Sequence, residues 1–149
     1  MSANDDRDRY RRTLDMDGCP FCAIAADPAR QIPGVAGTVD VWPETMAIVP
    51  RGGGTVPGHT LVIPRAHVPG ATVEPLITAT TVARACELAA RMYQFPGVNI
   101  IVNAGEDATQ TVFHLHVHII PRRPGDGLAL PWTHGEGRRT DHAADNSTT

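Results

Sequence analysis

The sequence predicts an α+β fold: an antiparallel sheet of about five strands carrying one long and one short helix. Short apolar runs separated by turn residues recur along the chain, and their links are of hairpin length. A single long stretch, Glu74 to Gln94, has apolar residues at helical spacing instead. No pattern repeats, so one folded unit is expected, in a chain of 149 residues that is long enough to bury a core.

Residues 1–16 mix Asp and Arg without periodicity and read as a flexible lead. The short helix is expected to start at Pro20, a residue suited to a first helical turn, and to end before Asp27-Pro28. Val35 to Val41 and Thr45 to Val49 form a hairpin around Trp42-Pro43-Glu44. Arg51-Gly-Gly-Gly-Thr-Val-Pro-Gly58 lacks the Lys-Ser/Thr ending of a phosphate-cradling P-loop and reads as a flexible connector. His59 to Pro64 is the next strand. The long helix follows, with Leu76, Ile77, Val82, Ala85, Cys86, Leu88 and Met92 on its apolar face and Cys86 expected in the core. Val98 to Val102 is a strand, and Asn103-Ala-Gly105 turns towards the last one, residues 110–122. The folded domain is expected over 17–132 and a disordered tail over 133–149.

Composition narrows the function classes. A net charge of −3 argues against a general nucleic-acid binder, which needs a basic surplus. No run of apolar residues is long enough for a membrane-spanning helix, and the first dozen residues lack the apolar core of a secretory signal. Three cysteines, two of them spaced Cys19-x-x-Cys22, suit a reducing, cytoplasmic setting better than a disulfide framework. That pair is most simply half of a tetrahedral zinc shell; a redox pair and two buried thiols are the alternatives.

The last strand carries the densest chemistry. His114, His116 and His118 alternate with Leu115, Val117 and Ile119, so a strand would place three imidazoles on one face, about 6.6 Å apart. Imidazole has a pKa near neutrality and can act as nucleophile, proton donor or metal ligand. A ring fixed in one tautomer could attack phosphorus and divide one displacement into two. Gln110 and backbone N–H groups could donate to the phosphoryl oxygens. Three rings on one straight strand would be strained as ligands of a single zinc, because Zn–N distances are about 2.0 Å.

Gln110-x-Val112-x-His114-x-His116-x-His118-Ile-Ile120 resembles the signature of the histidine-triad (HIT) family of nucleotide hydrolases and transferases. Cys19-Pro-Phe-Cys22, Gly58-His-Thr-Leu-Val-Ile-Pro-Arg-x-His67 and Asn103-x-Gly105 fall in the family's order, so the resemblance runs from Cys19 to about Arg123. It implies a HIT-like fold, a homodimer with joined sheets, and a nucleotide or phosphate ester bound over the histidines. It further implies cleavage at an α-phosphorus through a nucleotidyl-histidine, as in nucleoside phosphoramidates, monophosphate esters or dinucleoside polyphosphates. His116 would be the nucleophile. His118 and His59 would line the phosphate site, Gln110 and Thr111 would donate to phosphate or leaving group, and Asn103 would act from the adjacent strand. Cys19, Cys22, His67 and His114 would hold a structural zinc. Where the family carries an acid that grips ribose hydroxyls, this chain has Pro50 or Arg51, and proline offers no side-chain acceptor. A non-catalytic binding protein on the same scaffold is the alternative.

Overall fold

The computed structural model describes residues 16–30 and 35–130. The expectations for residues 1–15 of the lead and for the tail, 133–149, lie outside these residues. Five strands form one sheet: β1 (Val35–Val41), β2 (Thr45–Pro50), β3 (Thr60–Pro64), β4 (Gly97–Val102) and β5 (Val117–Arg122). Their spatial order is β1-β2-β3-β5-β4, and every neighbouring pair is antiparallel. The helices are α1 (Pro20–Ala26) and α2 (Pro75–Ala90). The α+β expectation of about five strands with a short and a long helix is met.

Alternation along the strands decides which helix each face receives. Ala47, Val62, Val117 and Ile119 pack with Ala85 and Leu88 of α2. Met46, Ile48, Leu61 and Ile63 point the other way and pack with Phe21, Ile24 and Ala25 of α1. His118 pairs in register with Leu61 on one side and Ile101 on the other. It therefore shares the α1 face, and the chemistry of the site is built there.

Two expectations need correction. The histidine strand does not run over 110–122: β5 begins at Val117, so His114 and His116 lie on the irregular segment leading into it. The segment is held elsewhere, by Leu115 N–H donating to the Val68 carbonyl at 2.6 Å. Leaving the sheet frees the rings from a common face and a fixed 6.6 Å repeat. Secondly, Cys86 is exposed, and Leu76 is 84% exposed. The apolar stripe of α2 is broader than the sheet beneath it, and only Thr81, Ala85 and Leu88 are fully covered.

Ile63 is completely buried and Leu76 is not. Ile63→Ala should therefore cost about 2–4 kcal/mol of stability, and Leu76→Ala less than about 0.5 kcal/mol. Urea unfolding of both variants checks this.

Candidate active site and metal centre

The metal centre starts at α1. Pro20 opens the helix and Cys19 caps it, its Sγ accepting the Cys22 N–H at 3.4 Å. One helical turn therefore brings both sulfurs to the same end. Cys22 Sγ lies 3.1 Å from His67 Nδ1, and both sulfurs lie 3.5 Å from His114 Nδ1. The four ligand atoms all fall within 4.8 Å of one another. A tetrahedral zinc with two sulfur and two nitrogen ligands needs edges of about 3.4–3.8 Å, so the set fits.

Tautomer and charge agree with that fit. His114 Nε2 lies 2.8 Å from the Pro64 carbonyl, which can only accept, so Nε2 carries the proton and Nδ1 faces the sulfurs with its lone pair. Burial, and then the neighbouring Cys19, push the Cys22 thiol up to about 12. Two thiolates here require a cation to balance them. Four protein ligands leave no open position, which makes this a structural rather than a catalytic metal site.

His116 is set by a different group of the same residue. Its Nδ1 lies 2.8 Å from the His114 carbonyl, so Nδ1 donates and Nε2 is left with a lone pair. Burial holds its pKa below the ordinary histidine value. The ring is thus a neutral, singly oriented base at neutral pH. Its neighbour His118 stands 5.0 Å away between ring centroids, and His59 lies 3.0 Å from His118 between Nε2 and Nδ1. Burial, with possible positive charge on His116 and His59 adding repulsion, lowers His118 to about 4; burial also lowers His59. His118 Nε2 is buried without a partner among the described residues. Phe21 packs edge-on against both His114 and His116, at 5.7 and 5.4 Å.

The remaining residues around the site are placed as follows. Gln110 is 3% exposed and braces the loops: its amide donates to the Pro69 and Val112 carbonyls, and its oxygen accepts the Gly105 N–H. Both amide hydrogens are committed, so a phosphate contact requires one to be released. Thr111 is exposed. Asn103 follows β4 and donates to Thr109 Oγ1 at 3.2 Å. Arg122 is bound to Asp126, Asn99 and the Leu128 carbonyl, and Arg123 stacks on Phe95. Pro50 closes β2 and Arg51 is exposed, so no carboxylate stands at the expected ribose position. A cavity of about 360 Å³ opens beside Thr45, Arg65 and Ile77 on the α2 side, and no histidine lines it.

Residues 44–125 match the HIT domain family model. The chain belongs to the HIT family. An uncharacterized HIT-like protein from Mycobacterium tuberculosis is 34% identical, over 75% of this chain and 76% of its own. A zinc-bound histidine triad family protein from Mycobacterium smegmatis superposes with a TM-score of 0.60 at 34% identity, covering 75% of this chain and 80% of that one. The asymmetrical bis(5'-nucleosyl)-tetraphosphatase of Schizosaccharomyces pombe is 40% identical over 48% of this chain and 41% of its own. The HIT fold thus accounts for the sheet order, and the zinc-bound relative agrees with the four-ligand cluster.

Reading the sequence as side chains missed the main-chain partners of these rings. The Pro64 and His114 carbonyls and the Thr55 N–H, 2.9 Å from His59 Nδ1, set the ring orientations. The glycine run before His59 was the one sequence signal for the last of these.

Two measurements test the site. A histidine with a lowered folded-state pKa takes up fewer protons than the unfolded chain as pH falls. Its stabilising effect is therefore lost from about pH 6.5 down towards about 4. Between pH 7 and 5 the wild type should lose about 1–2 kcal/mol more than His118→Asn; equal losses by urea titration would count against the buried neutral ring. Cys22→Ser should reduce bound zinc to well under half an ion per chain and lower Tm, measured by metal analysis and calorimetry.

Proposed function

We propose that this HIT protein is a nucleotide hydrolase or transferase that cleaves at an α-phosphorus through a nucleotidyl-histidine intermediate. The observation carrying this reading is the His116 Nδ1–H bond to the His114 carbonyl, which leaves Nε2 as a buried lone pair. Imidazole so fixed is a nucleophile that needs no prior deprotonation.

The reaction runs in two displacements. His116 Nε2 attacks phosphorus, an N–P bond forms, and the bond to the leaving group breaks. The leaving oxygen or nitrogen takes a proton from solvent. Water then attacks the same phosphorus and loses a proton to solvent as the N–P bond breaks, which releases the nucleoside monophosphate and returns His116 as a neutral imidazole. His118 lies beside the nucleophile, 5.0 Å away between ring centroids, and serves the phosphoryl oxygens, while His59 lines the phosphate site from behind His118. Thr111 and Asn103 stand on the segments either side of Gln110 and reach the phosphate or leaving group. Gln110 joins them if one amide hydrogen is released.

Phosphoramidates, monophosphate esters and dinucleoside polyphosphates all present the bond this site would break. The tetraphosphatase from S. pombe supports the polyphosphate member of that set. Cys19, Cys22, His67 and His114 hold a structural zinc. The chain works in the cytoplasm as a homodimer; β4 at one edge of the sheet supports the dimer, and the free cysteines support a reducing compartment.

His116→Asn should lower turnover of adenosine and guanosine phosphoramidates and dinucleoside polyphosphates by about a thousandfold or more, with the fold and zinc content retained. Full activity in that variant would sink the proposal. The carboxylate missing at Pro50 and Arg51 favours one second reading, a binding protein without catalysis. Tight nucleotide binding by calorimetry, with no turnover across the same panel, would establish it.

A further inference from the structure

The loop that reads as a flexible connector presses directly on the histidine pair. Gly52, Gly53 and Gly54 all have positive φ, at 66, 82 and 80°. Gly54 combines that φ with ψ −160°, a conformation essentially confined to glycine. A Cβ at Gly54 would run into His59 Nδ1 and stand 2.7 Å from the ring carbon beside it. At Gly52 or Gly53 a Cβ would meet nothing within 4 Å. The close approach is therefore particular to Gly54, and it brings the next amide, Thr55 N–H, to 2.9 Å from His59 Nδ1.

That amide decides the protons of two rings. Thr55 N–H can only donate, so His59 Nδ1 accepts and, in a neutral ring, His59 Nε2 bears the hydrogen. His59 Nε2 lies 3.0 Å from His118 Nδ1, so His59 donates and His118 Nδ1 accepts. His118 then bears its own hydrogen on Nε2, the buried nitrogen that has no partner among the described residues.

We propose that the Gly54–Thr55 turn is a tautomer lock. Acting through His59, it holds His118 as an Nε2–H donor directed at an anionic phosphoryl oxygen. Gly54 is a positioning residue: it touches no substrate and acts by letting the Thr55 amide reach the ring. The inference rests on the phosphoryl-transfer reading for its purpose, but its geometry is tested without substrate. In combination, His116 offers a lone pair and His118, whose ring centroid is 5.0 Å away, offers an N–H. A tetrahedral phosphorus with an unesterified anionic oxygen needs that pairing of nucleophile and donor.

Long-range proton–nitrogen NMR correlations of ¹⁵N-histidine protein distinguish a protonated ring nitrogen from a bare one. Wild type should show His59 and His118 each with hydrogen on Nε2 and a bare Nδ1. His118 carrying its hydrogen on Nδ1 would overturn the proposal from the wild-type spectrum alone, whether or not any variant folds. In Gly54→Ala the His118 signals should shift towards a mixture of tautomers, with kcat falling about tenfold or more and KM changing less. Gly53→Ala, with similar φ and no ring contact, should keep the wild-type His118 pattern. Equal disturbance of His118 by both substitutions, or by neither, would also overturn it. A correct tautomer pattern in a protein without turnover would refute the catalytic reading and leave the lock standing.

Discussion

The hydrogen bond from His116 Nδ1 to the carbonyl of His114 exists because the chain between them leaves the sheet, and His114 keeps it there. Its Nε2–H is spent on the Pro64 carbonyl at the end of β3, and its Nδ1 faces Cys19 and Cys22. With the ring anchored at both nitrogens, the His114 peptide unit has little freedom to turn. The metal cluster is thus connected to the His116 ring by one peptide. Leu115, 1% exposed, fixes the opposite side of the same segment.

Burial explains why these rings act as neutral imidazoles. His114 and His116 are almost wholly removed from solvent, and His59 is 5% exposed. Water is then unavailable to solvate an imidazolium, and each ring keeps a lone pair at ordinary pH. The cost is that every N–H must find an acceptor, and the Pro64 and His114 carbonyls meet it for two rings. The exception is Nε2 of His118, which has no partner among the described residues and which a bound phosphoryl oxygen would complete.

Much of this was legible in the sequence. Cys19-x-x-Cys22 and Pro20 announced a short helix with two thiols at its start, and that helix spans Pro20–Ala26. Alternating Leu115, Val117 and Ile119 announced a buried face, and all three are buried. Periodicity did not reveal where the strand begins, because an extended irregular segment alternates in the same way and only the hydrogen-bond partner differs. Likewise, small and apolar residues around the whole of α2 could not say that Cys86 faces out. Gln110 looked available for substrate, since its sequence neighbours do not show that Pro69, Gly105 and Val112 converge on it.

The partners that orient the three buried imidazoles are written in the main chain, at the Pro64 and His114 carbonyls and the Thr55 amide. Such groups survive a change of side chain. Conventional alanine scanning would therefore find the rings and pass over what aims them. The same property gives the site a kind of evolutionary slack, since residues 55 and 64 can vary in side chain while still presenting the same N–H or C=O, whereas His114 is also held by its ring. Their identity is constrained by backbone shape, and sequence comparison would register it only as glycines and prolines that do not move.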